Sequence, residues 1–171
     1  RNQAVKALLC KEFGPPDTLV VEDVASPSAG PGEVVVTVRA AALNFFDTLI
    51  IENRYQFKPE RPFSPGAEMA GVVKEVGEGV TDFVPGDRVM AYTVWGACRQ
   101  EVAVEAAHVV HLPSDVDFVT AAGLTVTYGT TIHALADRAA LQPGETLVVL
   151  GASGGVGQAA VELGKIMGAR V

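Results

Sequence analysis

The residues best equipped for chemistry lie near the end of the chain, where Gly151-Ala152-Ser153-Gly154-Gly155-Val156-Gly157 separates the apolar run Thr146–Leu150 from a second apolar stretch reaching Met167. A strand, a glycine-rich turn and a helix in that order give a glycine fingerprint meaning, whereas an isolated G-x-G-x-x-G is weak. Ala152, Gly154 and Gly157 fall on the three fingerprint positions, with Ala in place of the first Gly. Those positions ask for a tight turn, bare backbone beside a pyrophosphate, and close packing of helix on strand. Ala at the first of them requires an ordinary φ there. With Ser153 and Gly154 shaping the loop, the free amides of Gly155 and Val156 at the helix N-terminus would face phosphate, aided by the helix dipole. A glycine-rich turn that binds nothing is the alternative. Elsewhere the chemistry is sparse. The two cysteines, Cys10 and Cys98, form no CxxC pair, which excludes a disulfide scaffold and a four-cysteine zinc lobe. His108 and His111 flank Val109-Val110 on an expected strand and leave Cys98 as the one sulfur, so the expectation for metal is none.

Those residues need elements to hold them. The chain has 171 residues, enough for one full domain and part of another, with 49% apolar and 19% charged residues, an ordinary globular mixture. No apolar run is long enough for a membrane helix, no signal-peptide order opens the chain, and a net charge of −7 would repel nucleic acid and anionic lipid. The expectation is a cytoplasmic protein with no nucleic-acid or membrane partner. The chain opens on Arg1 rather than Met and ends at Val171 in the middle of an apolar pattern, so the natural protein is expected to be longer.

Up to about Pro113, Val-rich runs alternate with turn residues, predicting strands at Val5–Cys10, Leu19–Val24, Glu33–Ala42, Gly71–Val76, Arg88–Tyr92, Arg99–Val104 and Val109–Leu112. Pro-Gly-acid tripeptides at Pro31, Pro85 and Pro143 mark turns in which the Gly takes φ > 0. One helix is expected to start near Asn44 and end before Asn53, with Asp47 in its first turn beside the dipole. Two helical stretches broken near Gly123 should cover Phe118 to Leu135. Thr146–Leu150 reads as a buried parallel strand, followed by a helix from about Gly155 to Met167 that Gly168 caps.

This order of elements, with Gly66-Ala67-Glu68, the Pro-Gly-Asp-Arg-Val turn at 85–89 and the strand bearing Gly-Gly-Val-Gly, resembles the medium-chain dehydrogenase/reductase superfamily. The resemblance implies an α+β / α/β fold: a GroES-like β-rich catalytic domain over 1–120, then the first βα unit of a truncated Rossmann domain over 121–171. In the zinc alcohol dehydrogenases of that superfamily three metal ligands stand where this chain has Asn44, Ala67 and Ala122, none of them a thiolate or imidazole. The remaining likeness is to the zinc-independent quinone oxidoreductases, the zeta-crystallin-like group. Asn44-Phe45-Phe46-Asp47 resembles their Asn-x-x-Asp helix opening and Gly123-Leu124-Thr125-Val126-Thr127-Tyr128 their Gly-Leu-Thr-x-x-Tyr helix. Both segments belong to the nicotinamide pocket there, so Asn44, Thr125 and Tyr128 become cofactor candidates. For Asn44 the competing role is helix capping, and for Thr125 and Tyr128 it is core packing. Arg54 stands where the family often has a small residue before the pocket tyrosine, which alters the width near Tyr55.

Without a metal, a hydride acceptor must spread its developing charge by conjugation, as a quinone or enone does, and hydrogen-bond donors then suffice. Tyr55, at the place where related enoyl reductases carry their catalytic tyrosine, and the Asn44 amide are the catalytic candidates, with an ordinary packing aromatic as the other reading of Tyr55. Glu68, among apolar neighbours, is expected to be structural and paired with Arg88 or Arg39. The expected function is hydride transfer from NADPH to a quinone or other conjugated carbonyl. An enoyl or enone reductase is the enzymatic alternative, and a crystallin-like cofactor-binding protein without turnover is the other. The residue that separates NADPH from NADH would lie past Val171, so NADPH rests on the resemblance, as does a homodimer. These 171 residues alone are expected to be inactive.

Overall fold

In a computed structural model that describes residues 4–171, the chain divides into two compact units, one running to Gly123 and one spanning Leu124–Val171. The first unit holds β1 (Ala4–Leu9), β2 (Val20–Ala25), β3 (Glu33–Ala42), α1 (Phe45–Ile51), β4 (Glu68–Val76), β5 (Arg88–Tyr92), β6 (Glu101–Glu105), β7 (Val109–His111) and α2 (Phe118–Ala122). β1 and β2 form an antiparallel pair, and the other strands form an antiparallel sheet in the order β6-β3-β4-β5-β7.

Alternation along the strands gives the sheet two buried faces. Val34, Val36, Met69, Val73, Val89, Ala91 and Val102 meet in the main core. The residues between them, Ala40, Ala70 and Met90, turn to the other face and pack against Ala121 and Ala122 of α2. This is why α2 stays with the sheet and the first unit runs to Gly123. Asp117 caps α2, its Oδ1 accepting from the Thr120 N–H at 2.9 Å.

β4 begins three residues before the expected start at Gly71. The sequence treats glycine as punctuation, but Gly71 is inside the strand because a Cβ there would stand 2.2 Å from the Thr37 carbonyl oxygen of β3. The three Pro-Gly turns have Gly32, Gly86 and Gly144 at φ of 76°, 101° and 86°, as expected.

The second unit contains α3 (Thr127–Ile132), a π-helical continuation over His133–Arg138, and α4 (Gly155–Ile166). Thr146–Leu150 is not the buried strand that its composition suggests. One parallel bridge joins Thr146 to Arg170, while Val148 and Leu150 are 77% and 91% exposed. A parallel strand acquires its ladder from neighbours on either side, and among the described residues Arg170 pairs with it, accepting from the Leu147 N–H at 2.8 Å. Among the described residues no helix is long and apolar enough to cross a membrane.

Candidate functional site

In the sheet unit, β3 ends at Ala42 and the chain turns through Leu43 into Asn44, whose extended φ and ψ of −121° and 158° suit a helix cap. Asp47, three residues on, reaches back: its Oδ2 accepts from the Asn44 N–H at 2.7 Å, closing one half of a capping box. Its Oδ1 accepts from the Gly66 N–H at 3.2 Å, so Asp47 ties α1 to the segment leading into β4 as well as meeting the helix dipole. At 5% exposure, burial pushes its carboxyl upward, the Asn44 and Gly66 amides pull it back, and the charge of Glu68 pushes up again.

The Asn44 side chain faces the same network. Its Nδ2 donates to Glu68 Oε1 at 3.0 Å. Glu68 is 1% exposed and opens β4, paired in register with Ala42 on one side and Tyr92 on the other. The side-chain partner seen for Glu68 is thus an amide, and Arg88, one of the two expected arginines, is engaged elsewhere. Arg88 pairs with Val72, four residues and about 13 Å of strand from Glu68, and its guanidinium instead donates to the Pro113 and Val116 carbonyls and lies over the Phe118 ring.

Tyr92 is the member of this cluster that the sequence does not announce. Burial raises its phenol above the ordinary range, and the neighbouring Tyr55, Asp47 and Glu68 raise it further, which keeps the hydroxyl a donor. Only the register that sets Tyr92 opposite Glu68 could have exposed it. Beside it Thr93 Oγ1 donates toward the Gly66 and Ala67 carbonyls at 3.4 and 3.3 Å. Cys98 has its thiol pushed up to about 11, by burial first and then by the Asp47 charge, so it is no thiolate nucleophile at neutral pH.

Tyr55 is half-buried and stacks on Phe46 with centroids 5.5 Å apart and an interplanar angle of 21°, with Phe57 tilted against its other side. The ring belongs to the cluster of Cys10, Ile50, Ile51 and Phe63, so packing is one of its roles, while its nearness to Tyr92 keeps it beside the polar cluster. Next to the N-terminus of α1 lies a cavity of about 320 Å³ lined by Leu8, Leu19, Leu43, Ile51 and prolines, with Asn44, Asp47 and Thr48 as its polar side chains. That is the size and character of a small-ligand site.

Of the positions that the resemblance gives to zinc ligands, Asn44 carries the amide described above, and Ala67 and Ala122 are buried methyl groups. His111 stacks on Phe83 at 4.6 Å, with Nε2 2.9 Å from the Asp82 carbonyl oxygen. Among the described residues no three His, Cys, Asp or Glu side chains converge as metal ligands.

In the second unit the glycine loop meets the demands of a phosphate turn. Gly151 takes φ of 70°, which leaves Ala152 outside the left-handed region. Gly154 caps α4, and the first helical bond runs from the Gln158 N–H to the Gly154 carbonyl at 2.8 Å. The amides of Gly155 and Val156 in the first turn therefore lie ahead of the ladder, on a stretch exposed from Gly151 to Val156 that includes Ser153. A Cβ on Gly157 would stand 2.2 Å from the Gly151 carbonyl oxygen, so the helix approaches the turn as closely as backbone allows. These residues fit a dinucleotide pyrophosphate. Thr125 lies half-buried in the turn before α3, and the Tyr128 hydroxyl donates to Glu162 Oε2 of α4, a bond that raises its phenol and ties the two helices together.

Comparison with known proteins gives this arrangement a context. Residues 30–139 match the alcohol dehydrogenase GroES-like domain. The quinone oxidoreductase-like protein 2 homolog of Nematostella vectensis is 39% identical over 99% of this chain and 47% of its own length, and the quinone oxidoreductase of Lama guanicoe 38% identical over 96% and 50%. The chain thus spans about half the length of these curated relatives. Among solved structures, the quinone oxidoreductase of Thermus thermophilus, crystallised also in complex with NADPH, superposes with a TM-score of 0.84 at 36% identity over 97% of this chain and 52% of that one. The enoyl reductase CurK superposes with a TM-score of 0.87 at 29% identity over 97% and 52%.

Proposed function

The chain belongs to the alcohol dehydrogenase GroES-like domain family, in the medium-chain dehydrogenase/reductase superfamily of its quinone oxidoreductase relatives, and from that premise we propose that it is part of an NADPH-dependent reductase of quinones or other conjugated carbonyls working without a catalytic metal. Bound to the protein, the reduced nicotinamide supplies the hydride. The chain's own residues do the rest. Gly155 and Val156 offer amides to the pyrophosphate, with Ser153, Gly154 and Gly157 shaping the loop around it. Thr125 and Tyr128 line the approach to the cofactor, as the resemblance implies.

In the sheet unit the Asn44 amide donates to the acceptor oxygen, where charge develops, and the Tyr55 hydroxyl is a second donor. The Leu-lined cavity beside Asn44 excludes water from a flat apolar acceptor and leaves its oxygen to meet the amide. The observation that carries the reading is the Asn44–Glu68–Asp47 network, an amide donor at the position that the resemblance gives to a metal ligand in the zinc enzymes. An acceptor without conjugation would need stronger help than one neutral amide provides.

Enone or enoyl reduction is the second reading, favoured by the likeness to CurK and by the Tyr55 position. It demands a proton on the α-carbon, which quinone reduction does not. The test is to follow NADPH oxidation by the full-length protein with 1,4-benzoquinone and with an enoyl thioester, repeating both with Tyr55→Phe. Quinone turnover that survives Tyr55→Phe supports the first reading. Turnover of the thioester alone, lost in Tyr55→Phe, supports the second. Cofactor binding without oxidation by either acceptor speaks for a non-catalytic protein.

A further inference from the structure

An asparagine amide can present either its oxygen or its nitrogen to a substrate, and only its neighbours decide which. At Asn44 the neighbour is a carboxylate. Glu68 accepts at 3.0 Å from Nδ2 and, when ionised, has no proton to give, so the nitrogen side of the amide must face it. Glu68 itself is held rigidly: it is 1% exposed, opens β4, and has a ladder neighbour on either side in Ala42 and Tyr92. The Asn44 backbone is fixed from the other direction by Asp47, whose carboxylate takes the Asn44 N–H at 2.7 Å and the Gly66 N–H at 3.2 Å.

We infer that Glu68 is a positioning residue for the reduction, locking the Asn44 amide in one orientation so that its remaining Nδ2–H is a one-way donor toward the acceptor oxygen. The inference rests on the proposed reading of Asn44 and adds to it the residue that makes the donor directional. The carboxylate also polarises the amide it accepts from, since hydrogen bonds to charged partners are stronger than neutral ones. Glu68 touches no substrate in this arrangement. Its effect passes through Asn44.

The experiment is a residue swap in the full-length protein, reading melting temperature, NADPH affinity, and kcat and KM for 1,4-benzoquinone. Asn44→Asp alone sets two carboxylates face to face and lowers both melting temperature and kcat. Glu68→Gln alone offers Asn44 either an acceptor or a donor, releases the lock, and lowers kcat ~5-fold with NADPH affinity unchanged. The double variant Asn44→Asp with Glu68→Gln rebuilds one amide–carboxylate bond with its polarity reversed, and Asp is as good a helix cap as Asn. It should regain the melting temperature of the wild type while kcat stays down ~100-fold, the scale of a lost oxyanion donor. A double variant that regains kcat, or a Glu68→Gln variant with unchanged kcat, overturns the inference and leaves the reductase intact. A wild type that binds NADPH but reduces no quinone or enone overturns the reductase reading, and the inference falls with it.

Discussion

The two units treat polar groups in opposite ways. In the sheet unit charged side chains are buried and paired: Asp47 by two backbone amides, Glu68 by Asn44, and Glu101 by Lys74 and Ser26. In the glycine-loop unit the residues from Gly151 to Val156, which reach into the first turn of α4, are exposed. One region has its partners built in and can hold a donor in a fixed direction. The other leaves the backbone donors of a helix N-terminus exposed. Pre-organisation of this kind is what a site for developing charge needs, while a phosphate loop needs open backbone.

The contrast can be broken first at the sheet. Gly71→Ala places a Cβ 2.2 Å from the Thr37 carbonyl, a contact no rotamer relieves, and should cost about 4 kcal/mol in urea unfolding. Next comes the loop. Gly157→Val drives a side chain into the Gly151 carbonyl and Ala152, and should weaken NADPH binding ~100-fold in a fluorescence titration by forcing the helix away from the turn.

A smaller effect sharpens the electrostatic side of the comparison. Burial works to raise Glu101, but Lys74 and Ser26 hold its carboxyl below the usual range. A folded pKa below the unfolded one means stability that is present above the unfolded value of about 4.3 and lost as pH falls through the folded value. Glu101→Gln should therefore cost about 1–2 kcal/mol at pH 7, and the difference from wild type should shrink as pH drops below about 4 in thermal melts. The smallest effect on stability is at Tyr55. Tyr55→Phe keeps the stack on Phe46 and should change the melting temperature by less than about 2 °C.

The sequence was most legible where local chemistry is self-sufficient. The expected Glu33–Ala42 and Arg88–Tyr92 strands match β3 and β5, the Pro-Gly turns have their positive φ, and the breaks around α1, Gly123 and α4 follow cap and glycine signals. It misled where the outcome depends on a partner distant in the chain. Thr146–Leu150 has the composition of a buried strand, but burial needs neighbouring strands, and among the described residues it pairs at Arg170. Gly71 marked a beginning by type and turned out to be a close approach to β3. At the site Asn44 and Asp47 could be picked out from their spacing. The partner of Glu68 could not, because strand register decides that Tyr92 rather than Arg88 lies opposite it. Tyr92 was missed for the same reason.

The central claim is that hydrogen-bond donors around Asn44 take the place of a metal during reduction of a conjugated acceptor. The most direct measurement is NADPH oxidation by 1,4-benzoquinone with the full-length protein before and after exhaustive chelation, with bound zinc quantified in the same samples. Turnover should be unchanged by chelation, with substoichiometric zinc throughout. Stoichiometric zinc whose removal abolishes turnover, and whose return restores it, would contradict it.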